Sequence, residues 1–425
     1  MGFVSNIERR NATSALNDSW YYPGGFFYGG TSSGSMTNAG TAISEFNAMQ
    51  LSVVWACIKM LSEDSASLPL DLFRRRKGGG SDRAWDDNRY TLLHDVPNPE
   101  MSAMSFRETY AAHMLSWGNA YAEKETTGGK INRLVALWPI TPDRVTPKRD
   151  ANLKLIYNVS MSGTGFQDVV LPASKILHTP GLSFNGIVGY SPIRAHAEAI
   201  GFGKALEEFG SRYFGNGLNP GAVITHPGKI KDMAAFRKAT TDVYGGLGKS
   251  KRLMLLEDDM KFTPISIKPE ESQFLETRKY TNVDIGTRIY RFPPQMYGEF
   301  DKASTYASAE QFAIDYVTKT LRAWLVRLEQ SYNRALLDPS EYGRYFWKHN
   351  VEGLLRGDIK TRYEAYVLGK RNGFLNADEI RAKEDYNPIP NGLGKEYIVE
   401  KNMIGLSDLG ADVLQGAEKK NEAQV

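Results

Sequence analysis

The chain has one cysteine, Cys57, in 425 residues. That count excludes an internal disulfide and any cysteine-rich metal site, and it fits a reducing compartment. Cys57 lies within an apolar helical pattern and reads as a small buried hydrophobe rather than a nucleophile. The six histidines (His94, His113, His178, His196, His226 and His349) show no metal-ligand spacing. No apolar run approaches the ~18 residues that a membrane helix needs. Met1-Gly2-Phe3-Val4-Ser5-Asn6-Ile7-Glu8 lacks the apolar segment of a signal peptide, so assembly in the cytoplasm is expected. Charge of one sign is missing too. Lys and Arg total 52 against 49 Asp and Glu, a net charge of only +3. A protein that grips nucleic acid by neutralising many phosphates carries a clear basic excess. This chain can touch DNA but is not built to clamp it.

What is present is a substantial apolar fraction, 41%, enough for packed cores and against wholesale disorder. The length suits about two to four domains of ~100–200 residues. Residues 1–45 are the exception. Trp20-Tyr21-Tyr22-Pro23-Gly24-Gly25-Phe26-Phe27-Tyr28-Gly29-Gly30 leads into a Ser/Thr/Gly run whose backbone entropy opposes packing. We read 1–45 as a mobile arm. From 46 to 190 the pattern is α+β. Leu51, Val54, Trp55, Ile58 and Leu61 recur at helical spacing, and Leu68–Phe73 alternates as a strand. Ser105 and Glu108 suggest a capped helix to Trp117, ended by Gly118-Asn119. Strands follow at Tyr121–Glu125, Ile131–Trp138, Lys154–Val159 and Val169–His178.

Ser191-Pro192 opens a helix with Ser at N-cap and Pro at the first turn. It runs to Phe214. A small α/β insert occupies 216–269, too short for an independent core. A second helix runs from Glu270 to about Arg291 and stops at Phe292-Pro293-Pro294, because neither proline can continue it. After a polar loop, a third helix covers Thr305–Leu337. Tyr306, Ala309, Ala313, Tyr316, Thr320, Trp324 and Leu328 mark its expected buried face.

Four stretches imitate chemistry. Gly248-Lys249-Ser250 looks like the end of a P-loop, but Val243 stands where that pattern needs glycine. Glu257-Asp258-Asp259 could hold a metal, but no second acidic strand end lies nearby. Gly30-Thr31-Ser32-Ser33-Gly34 has the letters of a nucleophile elbow without the strand and helix around it. Arg74-Arg75-Arg76-Lys77 is a basic run that reads as a solvated strand end. Nothing assembles an active site, and no cofactor is implied.

Several separated pieces together resemble the portal proteins of long-tailed bacteriophages. They are Leu51–Cys57 with Ser67-Leu68-Pro69-Leu70, Pro97-Asn98-Pro99, Gly118-Asn119-Ala120-Tyr121, Gly189-Tyr190-Ser191-Pro192, Phe214-Gly215-Asn216-Gly217 and Phe292-Pro293-Pro294-Gln295-Met296-Tyr297-Gly298. Their order and spacing carry the resemblance. It implies an elongated α+β subunit in a ring, commonly of twelve, at one capsid vertex, through which double-stranded DNA passes. The wing would be 46–190 with the long helix 305–337 and the strand region 338–357. The stem helices would be 191–215 and 270–291. The clip would be 216–269, the crown 358–390, and 391–425 a partly disordered tail. The tunnel loop, 292–304, would be shaped by Pro293, Pro294 and Gly298. It would present Tyr297, Glu299, Phe300, Asp301, Lys302, Ser304 and Thr305 to the channel. Lys249, Lys251, Glu257, Asp258 and Asp259 would lie on the clip, where the large terminase subunit and then a head-completion adaptor dock. The major capsid protein would surround the ring. An ATPase or nuclease of the packaging motor is the alternative, motivated by the P-loop-like and acidic stretches.

Overall fold

The computed structural model describes residues 35–128, 133–161, 167–215, 222–225, 232, 234–235, 261–264, 271–299, 309–351, 359–384 and 386–398. They fall into two units, Met1–Val351 and Glu352–Val425.

In the first unit, regular structure lies upstream of residue 46, within the range read as arm. Strands β1 (Ser35–Met36) and β2 (Ala42–Ile43) pair antiparallel inside the segment read as arm. Their turn is seated on the Ala197–Gly215 helix. Thr41 donates to the Gly201 carbonyl at 3.3 Å, and a Cβ on Gly201 would come within 2.6 Å of Thr37. The Ser52–Ser67 helix buries Val54, Cys57, Ile58 and Leu61, while Trp55 stays half exposed. The next long helix is Ala103–Trp117. Its N-cap is Ser102, whose hydroxyl accepts from the Ser105 N–H, so the cap lies three residues before the one expected.

Three antiparallel sheets follow. In the first, β13 (Tyr345–His349) pairs with β3 (Leu70–Arg75), which pairs with β4 (Ser81–Arg83). A strand about 270 residues downstream thus completes the sheet begun near residue 70. In the second, β5 (Asn119–Thr126) lies between β10 (Ile176–Pro180) and β6 (Leu134–Ile140). The third is β7 (Val145–Arg149), β8 (Leu155–Val159) and β9 (Val169–Pro172). The run Val169–His178, read as one strand, is two strands of different sheets. A 3₁₀ turn at Ala173–Lys175 breaks it after Pro172.

Strand β5 links two cores through its alternation. Ala120 and Ala122 face a cluster with Leu70, Leu72, Tyr110, Leu177, Tyr332 and Trp347. Tyr121 faces the other, with Val145, Tyr157, Leu171 and Ile176. The Tyr110 hydroxyl is fully buried and lies 3.0 Å from Thr179 Oγ1 and 3.2 Å from the Ala120 carbonyl. Burial raises its pKa well above the phenol range.

Two sequence landmarks seventy residues apart meet at the end of the Ala103–Trp117 helix. Gly118 caps it at φ 73°. Asn119 Nδ2 donates to the Gly189 carbonyl and Asn119 Oδ1 accepts from the Gly189 N–H, both at 2.8 Å. Ser191 Oγ donates to the Ser116 carbonyl at 2.8 Å. Ser191 also caps the Pro192–Ala195 helix, accepting from Arg194 N–H. The expected continuous helix is interrupted at His196 (φ −118°) before Ala197–Gly215 resumes it.

The second unit contains the Ile359–Arg371 and Ala377–Lys383 helices. Asn376 and Glu379 form a capping box. Glu384, the C-cap of the second helix, ties it to the first, accepting from Arg362 and from the Tyr366 hydroxyl at 2.9 Å.

Two outcomes follow from this packing. A Cβ on Gly118 would lie 2.0 Å from the Tyr190 carbonyl oxygen in a backbone region that disfavours side chains. Gly118→Ala should therefore cost about 3 kcal/mol or more in denaturant unfolding. Cys57 is fully buried and its thiol is pushed up to about 12 by desolvation. It should resist thiol reagents at pH 8 until the protein is unfolded, then react as a single thiol.

Candidate functional site

The second long helix begins at Glu271 and is α-helical to Val283. It then widens into a π-helical segment, Asp284–Ile289, and ends at Tyr290. The third helix carries a matching feature. It is α-helical over Ala309–Asp315, π-helical over Tyr316–Leu321 and α-helical again over Arg322–Leu336. A π turn holds an extra residue, so it rotates everything after it. That rotation places Leu325 inward and leaves the expected Trp324 half-buried at the edge of the core.

Between the two helices the chain turns sharply. Arg291 adopts φ 55°, the left-handed region that a side chain disfavours. Phe292 is fully buried. Pro293 is extended, and a 3₁₀ turn, Pro294–Tyr297, replaces the start of the expected irregular loop. Gly298 closes that turn at φ 95°.

The corner is clamped from both helices. The Phe292 N–H donates to the Gly286 carbonyl at 3.0 Å, and Thr287 Oγ1 donates to the Phe292 carbonyl at 3.3 Å. Across the gap, Thr320 Oγ1 donates to the Arg291 carbonyl at 2.5 Å. The Phe292 ring meets Tyr316 edge-on, with centroids 5.2 Å apart. Tyr316 in turn donates its hydroxyl to Asp64 Oδ2 at 2.5 Å, tying the corner to the Ser52–Ser67 helix. Burial and the Asp64 carboxylate push the Tyr316 phenol far above its ordinary range. Burial raises Asp64, against the opposing pull of that hydrogen bond.

Of the expected loop side chains, Tyr297 and Glu299 turn back onto the preceding helix. Tyr297 packs on Gly286, where a Cβ would come within 2.7 Å of its ring. Glu299 Oε1 accepts from Asn282 Nδ2 at 3.2 Å. Phe300, Asp301, Lys302, Ser304 and Thr305 lie outside the described residues, as do Lys249, Lys251, Glu257, Asp258 and Asp259 of the insert. The insert's two ends are joined by β11 (Ala222–Thr225) and β12 (Lys261–Pro264), which pair antiparallel. Among the described residues no three His, Cys, Asp or Glu side chains gather as a metal site, and no helix is long and apolar enough to cross a membrane.

Sequence reasoning located the corner through its two prolines. It placed Thr320 on the buried face but missed its bond to Arg291, and it missed Asp64 and both π turns. The first two act across long sequence separations, and a π turn differs from an α turn only in which carbonyl each N–H selects.

Residues 52–385 match the family described as phage portal protein. The chain is 32% identical over 381 residues to a probable portal protein of Streptomyces phage phiC31, covering 87% of this chain and 82% of that one. Its fold is similar to the crystal structure of an HK97-family phage portal protein from Corynebacterium diphtheriae. There the TM-score is 0.54 at 12% identity, over 73% of this chain and 96% of the other. It is also similar to a chain from the neck of a native gene transfer agent particle, computed with C12 symmetry. The TM-score is 0.51 at 19% identity, over 81% and 94% of the two chains.

The clamp yields a measurable outcome. Thr320→Val keeps the shape but leaves the Arg291 carbonyl without its donor. It should cost about 1–2 kcal/mol in denaturant unfolding and speed proteolysis between 299 and 309. An unchanged midpoint and cleavage rate would show that the bond does not hold the corner.

Proposed function

This chain belongs to the phage portal family and is a structural portal subunit; from that premise we propose that it forms a homo-oligomeric ring of about twelve copies, through which double-stranded DNA is packaged and ejected. Phage portal proteins are virion components at the capsid vertex, and this chain is proposed to assemble there from the host cytoplasm. Its proposed partners are the large terminase subunit, a head-completion adaptor and the major capsid protein. The alternative of a motor ATPase or nuclease has no support from the family match.

The observation that carries the reading is the clamped corner at Phe292. The start of the following loop is held from both sides, by Thr320 and Tyr316 on one helix and by Gly286 and Thr287 on the other. A loop anchored in this way can project a short polar tip at a fixed height. In a ring that height is shared by every copy. We assign the tip to Phe300, Asp301, Lys302, Ser304 and Thr305. Tyr297 and Glu299 form its base, and Pro293, Pro294 and Gly298 set its exit. The mixed signs of Asp301 and Lys302 suit a duplex that must slide, because each added phosphate contact would strengthen binding and its salt dependence. The wing, stem, clip and crown take the ranges given above, with the hairpin of β1 and β2 added to the wing. Phe202 and Phe209 are each about half exposed and seven residues apart on the Ala197–Gly215 helix. That spacing puts them on one face, which suits contact with the next copy. Lys249, Lys251, Glu257, Asp258 and Asp259 are assigned to docking of the motor and adaptor.

Negative-stain imaging of the purified protein tests the ring directly. A closed ring is the expected outcome, and a monomer that hydrolyses nucleotide would overturn the reading. Lys302→Glu should leave rings intact while changing how much DNA is packaged or retained. Loss of rings would instead make Lys302 a contact between subunits.

A further inference from the structure

The first described residues sit beside an exposed apolar surface that their own upstream sequence is suited to cover. Met36 is 72% exposed and Phe46 is 65% exposed. Phe46 meets Trp117 edge-on, with ring centroids 5.4 Å apart. Trp117 runs into Gly118, which abuts the Tyr190 backbone. Tyr190 meets Phe184 edge-on at 5.1 Å. Phe184 is 83% exposed and Leu182 68%. Two apolar ring pairs, Phe46–Trp117 and Phe184–Tyr190, are thus linked through the contact of Gly118 with the Tyr190 backbone.

That loop is held in place. Asn185 Oδ1 accepts the N–H groups of Ile187 and Val188 at 2.8 and 2.9 Å. Ser183 Oγ accepts from Gly186 N–H at 3.0 Å, and the Tyr190 N–H donates to the Leu182 carbonyl at 2.8 Å. Phe184 is therefore presented outward by a built turn. Large exposed apolar side chains grouped in this way mark a contact site.

Upstream lie Trp20-Tyr21-Tyr22 and Phe26-Phe27-Tyr28, in a stretch from Ser19 to Ser44 that contains no charged residue. Gly29-Gly30-Thr31-Ser32-Ser33-Gly34 joins them to Ser35. That linker reaches up to about 20 Å, and a short flexible tether gives an effective concentration of about millimolar. Aromatic rings meeting edge-on or offset add to the gain from burial. We propose that Trp20–Tyr28 docks in cis on the surface formed by Phe46, Trp117, Phe184 and Tyr190. The segment precedes residues 52–385, which match the family, so the proposal does not rest on the portal reading.

Hydrogen exchange on the full chain tests it. Backbone exchange across 20–28 should be about tenfold or more slower than in the free peptide. It should return to the free rate in Phe46→Ser/Phe184→Ser, two exposed positions, with protection of the Ser52–Ser67 helix unchanged. Free-peptide exchange in the unsubstituted chain, or protection that survives the double substitution, would overturn the proposal. A Phe27→Cys/Phe184→Cys pair separates cis from trans, since the only other thiol, Cys57, is fully buried. An intrachain disulfide after mild oxidation supports docking in cis. Disulfide-linked dimers, or two thiols that stay free, refute it.

Discussion

The corner at Arg291-Phe292-Pro293 depends on one buried side chain. Phe292 can be fully buried because its backbone amide and carbonyl are both met from Gly286 and Thr287, six and five residues upstream. A buried backbone polar group left without a partner is costly, so this pairing is a condition of the turn. The ring then supplies the surface on which Tyr316 and the third helix settle. The left-handed Arg291 is the local strain that the arrangement tolerates, at about 1–2 kcal/mol. The Thr320 hydroxyl on its carbonyl works against that strain.

The two π segments are best understood from the same corner. In a regular α-helix the Gly286 carbonyl would accept from the N–H of Tyr290, four residues on. Here it accepts from the Phe292 N–H, six residues on, at the end of the π-helical segment. In the third helix, the wide turn at Tyr316–Leu321 brings Tyr316, Val317, Thr320 and Leu321 inward together, four buried residues within six. Tyr316 and Thr320 meet the corner, and Leu321 begins the buried line that continues through Leu325, Leu328, Tyr332 and Leu336. The departures from ideal helix therefore occur where two helices must satisfy a third, non-helical segment.

How far the sequence could be read follows from the range of the interactions. Local rules located the long helices, the stop at Pro293-Pro294, the Gly118 cap and the Ser191-Pro192 start, since each is decided within a turn or two. Reading failed where partners are distant. The hairpin Ser35–Ile43 looks like tail because its turn is supported by Gly201, some 160 residues on. The run Val169–His178 has one alternation but two sets of partners, β8 for its first half and β5 for its second. At the candidate site, the prolines and Gly298 were legible as backbone constraints. The clamp was not, because neither Thr320 nor Asp64 belongs to a motif.

The structure also bears on how a chain with so little net charge handles its basic residues. The run beginning at Arg74 could have been a phosphate-binding stripe, but carboxylates are interleaved with it. Arg74 faces Asp86 at 3.7 Å, Arg76 pairs with Asp82, and Arg83 reaches the buried Asp71 at 3.2 Å. Arg75 lies over the Phe346 ring. Arg89 is gripped by Asp87 and Glu341 together, which holds both carboxyls below their usual range. A guanidinium already paired gains less from a phosphate, since it must first give up its carboxylate. Around this sheet, charge is thus balanced locally, pair by pair. A surface organised in this way limits how strongly any one part of the sheet can hold a polyanion.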